Sequence, residues 1–278
     1  MTTAIANLSG ASFNYIRDLV RERSAIVLEP AKTYLVDSRL SPLARELGMH
    51  SIDQLVDALQ QPGSQVLTRK VVEAMTTNET SFFRDLHPFD ALKTIVLPEL
   101  IAKRSAERTL TIWSNACSSG QEIYSIAMIL RDSFPALAGW KVRLIASDLS
   151  SQVLSKAREG IFNQTEVNRG LPLPLLLKYF HKEGLTWRVS EEIRKMVEFR
   201  EVNLVDTWPA LPAMDIIFLR NVLIYFSTES KKEILAKARR VIRPDGYLFL
   251  GGAETTMNLD SSFVRTQVGK ATCYRLCS

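Results

Sequence analysis

The chain has 278 residues, 46% of them hydrophobic and 23% charged, and a net charge of +5. That length points to one large domain or two smaller ones, and the composition supplies a core while excluding wholesale disorder. No apolar run approaches the roughly 20 residues that a membrane-spanning helix needs, and no dense Lys/Arg tract gives a nucleic-acid footprint.

The first quarter reads helical. Phe13, Ile16, Leu19 and Val20 recur at helical spacing after Ser12, which is placed to act as an N-cap. Similar periodicity runs through 31–47, 51–60 and 65–75, broken by Glu29-Pro30, Gly48 and Pro62-Gly63. This predicts a small helical domain at 1–76. A linker and connecting helix at 77–105 follow, carrying the stretch NETSFFR (78–84) ahead of a helix over 87–103. Residues 1–75 hold 8 Lys/Arg and 8 Asp/Glu, so the excess positive charge lies in 76–278, where it favours acidic partners. The start, MTTAIANLSGASF, has no basic segment followed by a long apolar one, so no secretory signal is expected. Cys117, Cys273 and Cys277 form no CxxC pair. The expectation is a reduced, cytoplasmic protein without a metal site.

After about 105 short β-rich runs alternate with helices. LTIWSNA (110–116) precedes a helix at 120–133, and VRLIAS (142–147) precedes one at 150–158. MDIIFLR (214–220), a helix at 228–242 and YLFLGG (247–252) continue the pattern. Such alternation predicts a parallel sheet covered on both faces. FVRTQV (263–268) and ATCYRLC (271–277) are joined by only two residues, so they form an antiparallel hairpin. A mostly parallel sheet closed by such a hairpin is the arrangement of Rossmann-like methyltransferases. The stretch between about 158 and 214 is too long for one crossover. With LTWRV (185–189) and MVEFREV (196–202) it reads as an antiparallel β-subdomain inserted at about 175–202 of a 106–278 catalytic domain.

In doubly wound sheets ligands bind beyond the carboxyl ends of the strands. NACSSGQE (115–122) lies there, with small residues that let backbone approach a ligand, before a helix whose free N–H groups suit an anionic group. It is not GxGxxG, which disfavours a nicotinamide dehydrogenase; an ordinary strand-to-helix turn remains the alternative. Asp148 ends the second strand, where a carboxylate either accepts ribose hydroxyls or caps the helix starting near 150. In FLRNVLIYF (218–226), Arg220 and Asn221 emerge at the same edge, and Tyr225 is either an active phenol or a half-buried core tyrosine. No NPPY-like or DPPY-like tetrapeptide is present, which argues against an amino-nitrogen acceptor in DNA, RNA or glutamine. His50, His87 and His181 lie outside the strand-end motifs and read as structural or surface residues.

NETSFFR, ACSSGQEIYSIAM, ASDLS, VNL, FLRNVLIYF and RPDGYLFLGGAE occur in this order. Together they resemble the CheR-type chemotaxis receptor methyltransferases, which use S-adenosylmethionine to esterify glutamate side chains of chemoreceptors and release S-adenosylhomocysteine. One departure is visible: the family usually reads GEE where this chain reads GQE (120–122), with Glu122 retained. The resemblance implies cofactor contacts at Asn78, Thr80, Arg84, Glu122, Asp148, Asn203, Leu204, Arg220 and Asn221. It places Arg39, Arg84 and Tyr225 near the methyl group and the acceptor. By residue type, a carboxylate suits ribose hydroxyls and an arginine suits the cofactor's methionine carboxylate bidentately. The partners it implies are the cytoplasmic domains of transmembrane chemoreceptors, with no nucleic acid, no membrane insertion and a monomeric state. NETSFFR is expected to be the seam between helical domain and sheet, with Phe82 and Phe83 packing to fix it. The helical domain is expected to be a lid facing the receptor. The β-insert resembles the element that grips a C-terminal receptor tether in some relatives. Its link HKEGLT (181–186) is short, so no tether is expected to be required. A methyltransferase acting on another protein or a small molecule, and a cofactor-binding scaffold without turnover, are the competing readings.

Overall fold

Ser9, not Ser12, starts the first helix. Its hydroxyl accepts the Ser12 N–H, and α1 runs Gly10–Ser24. Ser12 lies inside the first turn, where its hydroxyl donates to Asp53, as does that of Ser9. The helix stops at Ala25, which turns left-handed at φ 54°. The computed structural model describes residues 8–277, so the reading of residues 1–7 for a secretory signal falls outside it. Helices α2 (Thr33–Glu46), α3 (Ile52–Leu59, capped by Ser51) and α4 (Gln65–Met75) follow. Their apolar stripes meet in one core containing Ile16, Val36, Leu40, Ile52, Leu55 and Met75. The chain divides into two compact units, residues 1–77 with 225–230, and residues 78–224 with 231–278.

In the second unit α5 (His87–Ala91) passes through a π-helical turn at Leu92–Val96 into α6 (Leu97–Lys103). The single helix expected over 87–103 is thus widened just ahead of Pro98, which has no N–H to continue the α ladder. Strand β1 (Thr109–Asn115) leads to α7 (Gln121–Ser133), β2 (Lys141–Asp148) and α8 (Ser151–Glu159). Then come β3 (Ile161–Asn163), α9 (Gln164–Asn168), α10 (Leu173–Tyr179), β4 (Phe180–Glu183), β5 (Thr186–Val189) and α11 (Glu191–Arg194). β6 (Val197–Glu201), β7 (Met214–Leu219), α12 (Thr228–Val241), β8 (Ile242–Leu250), β9 (Phe263–Val268) and β10 (Ala271–Leu276) complete the chain.

Seven strands form one sheet in the order β6-β2-β1-β7-β8-β10-β9, parallel except where β10 meets β8 and β9. The chain moves outward from β1 in one direction and then resumes at β7 on the other side, so the switch point lies between β1 and β7. The insert differs from its expected bounds. Its three-stranded sheet, β3-β5-β4, begins at Ile161, and residues 197–201 belong to the main sheet, where β6 pairs in parallel with Leu144–Asp148. There Phe199 packs edge-on to Tyr124 of α7.

Both phenyl rings of NETSFFR are packing residues within the second unit. Phe82 makes edge-to-face contacts with Phe162 and Phe180 of the insert, and Phe83 with Phe89. Both rings therefore belong to the core of the second unit. Gly170, at φ +89°, passes so close to Phe82 that an added Cβ would lie 2.1 Å from its carbonyl oxygen. No other residue type fits there.

β7 carries an acidic residue in an otherwise apolar, fully buried strand. Asp215 accepts the Thr111 N–H at 2.8 Å and the Arg104 Nε–H at 2.9 Å, while Arg104 also grips Asp245. The Arg104 side chain is 7% exposed, so its charge depends on these carboxylates. Asp215→Ala leaves that guanidinium half compensated in low dielectric. Urea unfolding is expected to show a loss of about 3–5 kcal/mol.

Candidate cofactor site

The carboxyl ends of β6, β2, β1 and β7 lie side by side, and their loops hold most of the residues picked out from sequence. Backbone geometry is unusual here. Ala116 and Ser118 take φ of 47° and 50°, and Gly120 takes 93° before α7 starts. The turn is stitched to β2: the Cys117 N–H reaches the Ser147 carbonyl, and the Ser118 N–H reaches Asp148 Oδ2, each at 2.9 Å.

Asp148 is buried, and its other oxygen accepts the Ser150 N–H at 3.0 Å. The α8 cap is Ser150, whose hydroxyl accepts from Val153, so capping is not the work of Asp148. Its carboxylate ties together the loops that follow β1 and β2. Its own carbonyl accepts the Val202 N–H at 3.0 Å, which brings Asn203 and Leu204 to the same edge.

Glu122, in the first turn of α7, accepts the Ser114 hydroxyl at 2.9 Å and Arg220 Nη1 at 2.8 Å. Arg220 Nη2 donates to Asp85 Oδ2 at 2.7 Å and to the Arg84 carbonyl at 3.0 Å. Both terminal nitrogens of Arg220 are thus engaged within the protein, and its side chain is 1% exposed. The geometry makes it a strut between β7, α7 and the end of NETSFFR, where residue type alone suggested a bidentate holder of a ligand carboxylate. The Arg84 side chain, partly exposed, donates to the Glu79 carbonyl at 2.9 Å. Asn78 is exposed, and its carbonyl accepts the Ser118 hydroxyl at 2.8 Å; Thr80 is half-buried between them in sequence.

Asn78, Thr80, Arg84, Glu122, Asp148, Asn203, Leu204, Arg220 and Asn221 all fall in the second unit. Arg39 and Tyr225 belong to the first. Arg39 Nη1 donates to the Met75 carbonyl at 2.6 Å and Nη2 to the Thr77 hydroxyl at 2.9 Å, which satisfies the end of α4. Tyr225 is half-buried, and its carbonyl accepts the Val27 N–H at 2.9 Å.

Two residues that carry the site's loops were missed in the sequence reading. Lys237 of α12 donates to the carbonyls of Leu204, Val205 and Asp206 at 3.1, 2.7 and 2.8 Å, so one ammonium holds the turn that presents Asn203 and Leu204. Burial lowers its pKa. Glu254, after β8, accepts backbone N–H groups of Gly251, Asn221, Val222 and Ile224. It sat inside the quoted stretch RPDGYLFLGGAE, but nothing in a sequence says which backbone a carboxylate will grip.

Burial pushes the Cys117 thiol well above its usual range, and the charges of Asp148 and Glu122 act in the same direction. The thiol stays protonated and offers no nucleophile. Beside Arg220 and Glu254 a cleft of about 1090 Å³ opens, walled by Asp85, His87, Met257 and Tyr274 among others. His87 is exposed on its wall.

A small-residue turn after the first strand, a carboxylate at the end of β2 and another in the first turn of α7, and an antiparallel hairpin closing the sheet define a Rossmann-like methyltransferase. Residues 78–271 match the CheR methyltransferase SAM-binding domain, and residues 11–76 match the CheR methyltransferase all-alpha domain. The chain is 42% identical to chemotaxis protein methyltransferase 1 of Pseudomonas aeruginosa, over 96% of this chain and 98% of that one. It is 39% identical to chemotaxis protein methyltransferase Cher2 of Pseudomonas putida, over 95% and 97% of the two chains. With the chemotaxis protein methyltransferase of Salmonella typhimurium it shares 37% identity, over 95% and 90%. The protein belongs to the CheR methyltransferase family, and its cofactor is S-adenosylmethionine.

The donor set fits that cofactor. Each carboxylate oxygen of Glu122 accepts one hydrogen bond within the protein and keeps a second lone pair for a hydroxyl or ammonium group. The buried Asn115 Oδ1, at the end of β1, has no partner among the described residues. Among those residues no helix is long and apolar enough to cross a membrane.

Proposed function

We propose that this protein transfers the methyl group of S-adenosylmethionine to glutamate side chains on the cytoplasmic domains of chemoreceptors. What supports the reading is the family match across both the helical and the cofactor-binding parts of the chain, joined to a strand-end site built from carboxylates. The enzyme acts in the cytoplasm, as a monomer, on receptors anchored in the membrane.

The cofactor supplies an electrophilic methyl carried on a sulfonium sulfur. Asp148 and Glu122 offer acceptors for its hydroxyl and ammonium groups, and Asn78, Thr80, Asn203, Leu204 and Asn221 line its place. Arg84 anchors its carboxylate, with Arg220 holding Glu122 in register. The acceptor needs no general base. A glutamate with a pKa of about 4.3 is ionised at neutral pH. Its carboxylate is a weak nucleophile, so the chain's contribution is placement and partial desolvation, effects that supply roughly 7–11 kcal/mol in favourable cases. A bidentate arginine on the acceptor would stabilise its ground state and weaken it. Tyr225 therefore aligns the acceptor, and Arg39 helps to recruit an acidic receptor helix. The helical domain faces the receptor.

The insert hairpin β4–β5 turns through only Gly184 and Leu185, with Glu183 paired to Thr186. So short a turn offers little to grip a peptide, and the enzyme works without a receptor tether.

With labelled S-adenosylmethionine and receptor-bearing membranes, the transferred label should be released as methanol in alkali. Alkali-stable label would rule out a glutamate ester. Tyr225→Phe should lower kcat about ten-fold or more, the scale of a hydrogen bond to a charged group, with little change in cofactor affinity. Equal losses in both, or none, would remove Tyr225 from the acceptor's side. An isolated receptor C-terminal peptide should show no micromolar binding by calorimetry; a micromolar Kd would restore the tether.

A further inference from the structure

We propose that Glu254 is a positioning residue for methyl transfer: its carboxylate fixes the segment Asn221–Ile224 and so sets how the chain delivers Tyr225. The inference rests on the acceptor role given to Tyr225 above.

β7 and β8 run in parallel and end level, with Leu219 opposite Leu250. Beyond that pair the ladder stops, and the chain past each strand end presents N–H groups that need other partners. Glu254 takes them. Oε2 accepts from Gly251 at 2.6 Å and from Asn221 at 2.8 Å, and Oε1 accepts from Val222 at 2.9 Å and Ile224 at 3.3 Å. The Glu254 N–H returns to the Gly251 carbonyl at 2.9 Å, which orients the carboxylate. An ionised carboxylate has about four acceptor sites and no donor, so it matches four N–H groups where a carboxamide would not.

Asn221 needs such a hold because it takes a left-handed φ of 59°. The approach is also close. An added Cβ on Gly251 would lie 2.6 Å from Asn221 Nδ2 and 2.7 Å from Glu254 Oε2. Ile224, the last residue gripped, is followed by Tyr225, where the chain passes from the second compact unit to the first. The clamp thus ends one peptide bond before the phenol's residue. Glu122, Asp148 and Asn203, the residues nearest the other strand ends, take no part in it.

The test compares wild type with Glu254→Gln and with Gly251→Ala, which disturbs the same clamp from the opposite side. Three quantities are read: kcat on receptor membranes, calorimetric Kd for S-adenosylhomocysteine, and hydrogen exchange of the 221–224 amides. Both variants should lose about 10²-fold in kcat, as a displaced reacting group does, with a clearly smaller loss of product affinity, the share owed to Asn221. The 221–224 amides should exchange faster while those of β1 stay protected. Unchanged kcat overturns the proposal, as does a loss of product affinity equal to the loss of kcat. Loss of cooperative unfolding in both variants also overturns it, because the role would then be structural. If wild type itself fails to turn over on receptors, the acceptor assignment falls. The clamp is then judged by exchange, and unchanged protection at 221–224 overturns it.

Discussion

A guanidinium with 1% of its side chain exposed cannot stand uncompensated, and Arg220 is the constraint on which the strand-end loops depend. It follows the last residue of β7 and draws in Glu122, Asp85 and the Arg84 carbonyl. Those three lie on the first turn of α7 and at the end of NETSFFR. One buried cation therefore places two segments far apart in sequence against a central strand. Two carboxylates around one cation leave a unit of negative charge, and Asp148 on the neighbouring strand adds another. That local field suits a ligand bearing a sulfonium and an ammonium, and it strengthens as water is excluded.

Much of this order was legible in the sequence because it follows from periodicity and turn chemistry. β1, β2, β7 and β8 are short apolar runs between helical patterns, and the closing hairpin is announced by a two-residue link. The errors have physical causes. β6 looks like part of an antiparallel insert because an exposed-and-buried alternation does not say which strand it joins; the structure pairs it in parallel with β2. β3 has three residues, too few for any period. Ser9 and Ser12 are both good caps by type, and only the backbone shows that Ser9 accepts while Ser12 donates to Asp53.

The candidate site divides along the same line. Residue type singles out Glu122, Asp148, Arg220 and Asn221 as candidates, and the structure gathers them within the second unit. Type says less about Arg220, because an arginine that holds a ligand and one that holds two protein carboxylates are spelled alike, and within the protein Arg220 holds Glu122 and Asp85. It passed over Lys237 and Glu254 for a different reason. Both act on backbone carbonyls or N–H groups, which every residue has, so their partners leave no mark in the sequence.

Those backbone grips explain why the site's loops can hold costly conformations. Of nine non-glycine residues with positive φ among the described residues, six fall in the strand-end loops or at and just after the end of NETSFFR: Phe83, Asp85, Leu86, Ala116, Ser118 and Asn221. Each such residue costs about 1–3 kcal/mol where nothing over-determines it. Here the loops are over-determined. The Ser118 N–H is taken by Asp148, the Asn221 N–H by Glu254, the Phe83 N–H by Ser125, and the Asp85 carboxylate by Arg220. The holding groups stand on β2, α7, the loop after β8 and the end of β7, all anchored by the buried sheet. Strain is therefore confined to the loops and restrained from the core side. Methyl transfer is served by that arrangement, because a loop free to relax would give up the placement of the groups it carries.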